Sequence, residues 1–147
     1  MNKYTTSLNF PDVNVWLATL LDNHVHHVAA RTWWNTTDSM LAFTRFTEIA
    51  VLRLLTTPAA MDGKPLSMDE AWQAYGRLFT DDRVTFMPEP ASVETRFREY
   101  TTGRTSSPKL WADAWLLAFA ETAGGTVITF DRALAGRGAH CLAPAGA

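Results

Sequence analysis

The sequence of 147 residues has little of what marks several large protein classes. It holds one cysteine, Cys141, which excludes an internal disulfide and any metal site built from paired cysteines. Its longest apolar run extends only from Ala114 to Ala120, whereas a membrane span needs roughly 18 residues. The first residues contain no apolar stretch before a small-residue cleavage site, which disfavours a signal peptide. We therefore expect a cytoplasmic protein without a membrane partner.

The chain also lacks an excess of charge of either sign. It carries 13 Lys and Arg against 15 Asp and Glu, for a formal net charge of −2. Domains that hold nucleic acid by bulk electrostatics usually have a pI above about 9, so this composition excludes a non-specific polyanion binder. What the sequence does have is a hydrophobic content of 47%, with six tryptophans. Length and composition together predict a single folded domain over residues 1–147.

Apolar runs that fit strands alternate along the chain with patterns that fit helices. Strands are predicted over residues 8–12, 39–43, 83–86, 126–130 and 139–142. Helices are predicted over residues 13–21, 24–34, 46–55, 68–79, 92–100 and 108–122, with a short helical turn at 131–134. This alternation predicts an α/β fold with a mainly parallel sheet, in which ligands bind at the carboxyl ends of the strands.

Local patterns add detail to three of these helices. The predicted core-facing residues are Val25, Val28 and Ala29 in the second helix, and Phe46, Ile49, Leu52 and Leu55 in the third. Ser67 followed three residues later by Glu70 is a capping-box pattern, which predicts the start of the fourth helix.

Four acidic residues lie in apolar surroundings, where a carboxylate is normally paired, hydrogen-bonded or bound to a metal. Asp12 and Asp131 fall at the carboxyl ends of predicted strands, and Glu48 and Asp113 lie early in predicted helices. Although they are far apart in sequence, the four can converge on one acidic pocket. A donor set made only of oxygen, with no His or Cys nearby in sequence, suits a hard cation such as Mg²⁺ or Mn²⁺.

Each acid also has a simpler interpretation. Asp12 and Asp131 precede helices, where aspartate is a favoured N-cap. Glu48 can lie on the exposed edge of its helix. Asp113 stands between alanines and tryptophans, so an exposed surface position is less expected for it than for the other three acids. We favour a shared site because all four simpler interpretations would have to hold at once.

Other side chains leave two interpretations open. His24 and His27 lie three residues apart, which permits a zinc pair, but an exposed helix face is the default. Arg45, Arg104 and Lys109 flank the acids in sequence and can contact RNA phosphates or lie in solvent. The tryptophans favour core or interface positions over base-stacking platforms. They are Trp16, Trp33, Trp34, Trp72, Trp111 and Trp115.

The segments that carry the acids resemble those of a known family. They read DVNVWLA, FTRFTEIAVLRLLT, PKLWADAWLLAFA and VITFDRAL, with a WW pair in the second helix. Together they are similar to PIN-domain ribonucleases, and most closely to the VapC toxins of type II toxin–antitoxin pairs. The resemblance covers the chain from about Leu8 to Leu142.

The resemblance implies a PIN-like three-layer α/β/α sandwich with a central, mainly parallel sheet. It implies an endoribonuclease that depends on Mg²⁺ or Mn²⁺ and hydrolyses RNA phosphodiester bonds. Its catalytic and metal-binding acids would be Asp12, Glu48, Asp113 and Asp131, with Asp12 and Asp113 as the most direct ligands. Supporting polar positions would be Asn14 and Thr129.

The resemblance also implies partners. These are an RNA substrate, a cognate VapB-like antitoxin that docks beside the pocket and blocks it, and a second copy of the chain in a homodimer. The alternative is a catalytically degenerate PIN-like module that binds RNA or protein. A phosphatase-like acid pocket ranks last, because the sequence has no P-loop, GxSxG or DxDxT motif.

Overall fold

A computed structural model describes residues 7–142 of the chain. Its strands are β1 Leu8–Pro11, β2 Met40–Phe43, β3 Val84–Phe86, β4 Thr126–Thr129 and β5 His140–Cys141. Its α-helices are α1 Val13–Leu20, α2 His27–Thr36, α3 Arg45–Leu55, α4 Met68–Leu78, α5 Val93–Thr101, α6 Leu110–Thr122 and α7 Arg132–Ala135. A single 3₁₀ turn covers Pro58–Met61. The five predicted strands and all the predicted helices are therefore confirmed, with ends that shift by a few residues.

The five strands form one sheet in the order β3-β2-β1-β4-β5. All four neighbouring pairs are parallel, with Leu8 opposite Met40 and Phe10 opposite Val127. Because β1 is the central strand, it has a parallel neighbour on each side, β2 and β4, and all three strands end at the same edge of the sheet. The loops that follow β1, β2 and β4 therefore meet at one edge of the sheet.

Aromatic side chains build the core on both faces of the sheet. On the face covered by α1 to α4, Trp16 stacks on Phe43 with ring centroids 3.8 Å apart. On the face covered by α5 and α6, Phe10 packs edge-on against Phe119 at 5.4 Å. Burying side chains of this size stabilises the fold by about 1.5–3 kcal/mol each. The result is the expected three-layer α/β/α sandwich.

The predicted apolar face of the second helix is wrong in part. Val25 and Val28 are 84% and 64% exposed, whereas Ala29 is buried as predicted, and α2 also buries Ala30 and Trp34. The helix begins at His27, three residues later than predicted, because residues 22–26 form turns. Val25 therefore lies in a turn before the helix and is not part of its buried face.

The predicted apolar face of the third helix is also wrong in part. Phe46 and Ile49 are exposed, whereas α3 buries Thr47, Glu48, Val51 and Leu55. Leu55 is buried as predicted, and both sets of residues fit one face of a helix, so periodicity alone could not choose between them. The choice was made by packing against β2 and α4, which admits the small Thr47 next to the N-cap Thr44.

None of the helices within residues 7–142 is long and apolar enough to cross a membrane.

The turn between α6 and β4 generates a stability prediction. A Cβ added at Gly125 would lie 2.6 Å from the Leu8 carbonyl oxygen and 2.7 Å from the Phe10 ring. Because neither the strand nor the buried ring can easily move, we expect Gly125→Ala to destabilise the protein by about 1–3 kcal/mol. Urea unfolding followed by circular dichroism measures this.

The control is Gly76→Ala in α4. A Cβ there meets nothing within 4 Å, so the change should stabilise the helix by about 0.5–1 kcal/mol. Equal unfolding midpoints for the two variants would contradict the proposed close approach at Gly125.

Candidate active site

Asp12 is the first residue beyond the central strand β1, and three groups fix its position. Its backbone N–H donates to the Ile128 carbonyl at 2.9 Å, which extends the pairing with β4. One carboxylate oxygen accepts from the Val15 N–H at 3.1 Å and so caps α1. The other accepts from the Thr129 hydroxyl at 2.5 Å. Asp12 is therefore an N-cap, as the simpler interpretation holds, and it also has a tertiary partner that capping does not need.

Thr129 joins two of the predicted acids. It is the last residue of β4, is fully buried, and its hydroxyl accepts from the backbone N–H of Asp131 at 2.9 Å while donating to Asp12. The Asp131 carboxylate accepts from the Ala133 N–H at 2.9 Å and caps α7. Its other oxygen lies 3.9 Å from the Lys109 ammonium. Asp12 and Asp131 thus share one hydroxyl group between the ends of adjacent strands.

Asp113 completes a group of three interacting carboxylates. It lies in the first turn of α6 and is half-buried. Burial raises its pKa, and the charge of Asp131 raises it further, while Lys109 and Arg137 act in the opposite direction. Burial also raises the pKa of Asp12, and the charge of Asp113 adds to that rise against the hydrogen bonds from Thr129 and Val15. The charge of Asp113 thus acts on Asp12, and the charge of Asp131 acts on Asp113.

This donor set fits a hard divalent cation. The three groups offer only carboxylate oxygens, and a cation would offset the burial and the neighbouring negative charge that raise the pKa of Asp12 and Asp113. Within residues 7–142, no three Asp, Glu, His or Cys side chains are placed to hold one ion by themselves. Mg²⁺ is usually held by one or two carboxylates together with several waters, so two protein ligands suffice.

Glu48 has different neighbours. It is only 6% exposed, and its carboxylate lies 2.5 Å from the Arg45 guanidinium. Burial raises the pKa of the Tyr75 hydroxyl, and the Glu48 carboxylate raises it further. Glu48 is absent from the charges that shift the pKa of Asp12 or Asp113. Because it is buried, Glu48 does not lie on the exposed edge of its helix. Its membership of the acidic site stays a prediction.

The remaining predicted site residues are one polar residue, Asn14, and three basic ones. Asn14 is exposed, and its backbone N–H acts to lower the pKa of Asp12 against the effect of burial. Arg45 pairs with Glu48 and lies over the Phe86 ring at 4.6 Å. Lys109 and Arg104 remain exposed at the amino-terminal end of α6. The RNA contacts predicted for these basic residues stay predictions.

The sequence analysis missed Arg137 and Tyr75. Arg137 acts on Asp113 from the turn after α7, and its guanidinium lies 5.6 Å from the centre of the Tyr100 ring. Its position six residues after Asp131 is a signal that could have found it. Tyr75 lies on α4, remote in sequence from the four candidate acids, and only the packing of α3 against α4 reveals it.

The histidines have local roles. His27 bonds the Ala18 carbonyl oxygen through Nδ1 at 2.7 Å, and His26 stacks on Phe130 with centroids 4.4 Å apart. His24 accepts from the backbone N–H of His26 at 3.0 Å. Among the described residues these rings belong to no group that could hold a metal ion, so the zinc pair has no support.

Comparison with known proteins agrees with this geometry. The sequence matches the PIN domain family over residues 10–138. It is 40% identical over 128 residues to Ribonuclease VapC41 of Mycobacterium tuberculosis, covering 83% of this chain and 88% of that protein. It is 31% identical over 134 residues to Ribonuclease VapC39 of the same organism, covering 84% and 88%.

A solved structure has the same fold. The Mycobacterium tuberculosis VapC20 toxin, described as cleaving the sarcin–ricin loop, superposes with a TM-score of 0.64 at 16% identity. The match covers 92% of this chain and 99% of that one. The sequence match over most of the chain, and not this structural likeness alone, identifies the protein: it belongs to the PIN-domain family, among the VapC ribonucleases.

Proposed function

We propose that this protein is an endoribonuclease that uses Mg²⁺ or Mn²⁺ and acts as the toxin of a VapBC-type pair. The observation that carries the proposal is the trio of interacting carboxylates, Asp12, Asp113 and Asp131, at the edge of the sheet where β1 and β4 end. Membership of a family of ribonucleases supplies the substrate class. The proposal treats residues 1–147 as one PIN-like domain.

The residues divide the work between holding the ion and positioning its ligands. Asp12 and Asp113 would hold the cation, with Asp131 beside them. When bound, such a cation activates water for attack on phosphorus and neutralises the negative charge that develops on the phosphate oxygens. Thr129 fixes the Asp12 carboxylate by its hydrogen bond and thereby sets its direction. Lys109, 3.9 Å from Asp131, can contact an RNA phosphate at the rim.

Regulation in this proposal comes from protein partners. A VapB-like antitoxin would dock beside the acidic site and block it, and two copies of the chain would form a homodimer. The alternative of a degenerate binding module is less favoured, because Asp12 and Asp113 retain the burial and the neighbouring negative charge that a cation would offset. A module that had lost metal binding would have no reason to keep that cost.

The first test removes the charge of Asp12. Asp12→Asn keeps the N-cap, because asparagine caps helices as well as aspartate does. We expect RNA cleavage with Mg²⁺ to fall on the order of 100-fold or more, since a charged ligand is lost at the reacting phosphate. Cleavage of a labelled RNA measures this, with the exposed Asp38→Asn as the control. Undiminished cleavage by Asp12→Asn would overturn the site assignment.

The second test concerns the positioning role of Thr129. Thr129→Val keeps the shape and removes the hydroxyl that bonds Asp12, so we expect activity to fall about 10- to 100-fold, as for other groups that orient metal ligands. Thr129→Ser restores the hydroxyl and should restore most of the activity. If Val and Ser variants cleave RNA equally well, the hydrogen bond does not position Asp12 for catalysis.

The third test removes the metal. Mg²⁺ or Mn²⁺ should raise the melting temperature of the wild type, because an ion that binds only the folded state stabilises that state. The same ions should leave the melting temperature of Asp12→Asn unchanged. EDTA should abolish both the shift and RNA cleavage. Strong RNA binding in EDTA would count against a site that attracts phosphate only when metal is bound.

The fourth test uses the raised pKa of Asp12. The folded state favours the protonated carboxyl, so its contribution to stability is full below the ordinary value of 3.8 and is lost as pH rises through the raised value. In metal-free buffer, Asp12→Asn should therefore gain stability relative to wild type between about pH 4 and pH 7. Urea midpoints at both pH values measure the gain, and a constant difference would show that Asp12 is not destabilised by burial.

A further inference from the structure

Trp111 is a large aromatic side chain left exposed close to the acidic site. It is the second residue of α6 and is 59% exposed. Its ring meets the Phe97 ring edge-on, with centroids 5.9 Å apart and an angle of 68°. This contact holds the indole against α5 while most of the side chain stays exposed. A tryptophan held in this way offers a rigid flat surface at little further cost in side-chain entropy.

The indole forms one wall of an open cavity of about 390 Å³. Polar side chains of the loop before α6 form much of the rest of the cavity, namely Arg104, Thr105, Ser106 and Ser107. Among residues 7–142, none of these four side chains has a hydrogen-bond or ion-pair partner, in contrast to Arg45, Arg83, Arg96 and Arg98. The cavity therefore combines an aromatic face with free donors and acceptors, which is the chemistry that holds a nucleobase.

The cavity lies within reach of the carboxylates. Trp111 and Asp113 are two residues apart in α6, so their Cα atoms are separated by about 3 Å along the helix axis. Their side chains point to different sides of the helix, which is about 10 Å wide. Lys109, whose ammonium lies 3.9 Å from the Asp131 carboxylate, immediately precedes this helix. A single RNA strand crossing this end of α6 can therefore place a phosphate at the acids and a nearby base at Trp111.

We propose that this cavity is a subsite for one unpaired nucleobase of the RNA substrate, close to the bond that is cut. The base stacks on Trp111, the loop hydroxyls bond its edge, and Arg104 contacts a neighbouring phosphate. The inference rests on the proposed ribonuclease function and adds to it a preference for single-stranded RNA. The mixed polar lining favours RNA over a protein helix, which fits better the apolar groove beside Ile49, Met68 and Trp72.

The test compares three variants in steady-state cleavage of a short synthetic RNA with Mg²⁺. Trp111→Leu keeps the apolar contact with Phe97 and loses the stacking face, so KM should rise about 5- to 150-fold while kcat changes little. Trp111→Phe keeps an aromatic face and should recover much of the loss. Trp72→Leu, which removes another exposed tryptophan on α4, is the matched control and should behave as wild type.

A second arm identifies the base. Once the cut site is mapped, an abasic residue is placed in turn at each nucleotide flanking it. At one position the abasic RNA should raise KM for wild type by the same factor as Trp111→Leu, and combining the two changes should add nothing further. Effects that add at every position would overturn the proposal, because the ring and the base would then not interact.

The outcomes separate this inference from the function on which it rests. If wild type cleaves RNA and Trp111→Leu has an unchanged KM, the subsite is wrong and the ribonuclease function stands. If Trp111→Leu leaves KM unchanged but weakens binding of the antitoxin, the surface belongs to a protein partner and the subsite is also wrong. If wild type neither binds nor cleaves any RNA with Mg²⁺ or Mn²⁺, the proposed function itself fails.

Discussion

The parallel pairing of β1 with β4 is the constraint on which the site depends. It continues one residue beyond the strand, where the Asp12 N–H bonds the Ile128 carbonyl, and it ends in the bond from the Thr129 hydroxyl to the Asp12 carboxylate. Because both strands run the same way, their last residues bring two acids to one edge. A change of register by one residue would turn Thr129 toward the opposite face and break this link.

The capping and the functional interpretations of these acids are compatible. Asp12 and Asp131 each cap a helix with one oxygen, and the other oxygen faces Thr129 or Lys109. Capping fixes the direction of each carboxylate without using all of its acceptor capacity, since an ionised carboxylate has about four lone-pair sites. A cap at the end of a strand is therefore a rigid way to present an acid, and rigidity matters where an ion must be held.

The same acids make the site a source of instability. Burial raises the pKa of Asp12 and Asp113, which means that folding favours the protonated form of both carboxyl groups. Keeping these groups ionised in the folded state therefore lowers the stability of the protein. The two aromatic cores offset such a cost, with Trp16 on Phe43 on one side of the sheet and Phe10 on Phe119 on the other. Acidic groups with a raised pKa, set at the edge of a well-packed sheet, are typical of functional sites.

The sequence by itself determined the order of strands and helices, the α/β class and the positions of Asp12 and Asp131, because these follow from local patterns and strand ends. It could not determine which face of α2 or α3 is buried, since two sets of residues share the same period in each helix. Only the tertiary structure placed Tyr75 where it interacts with Glu48, packed Trp111 against Phe97 and brought Arg137 to act on Asp113. These contacts join elements far apart in sequence, and no local pattern encodes the packing that places them together.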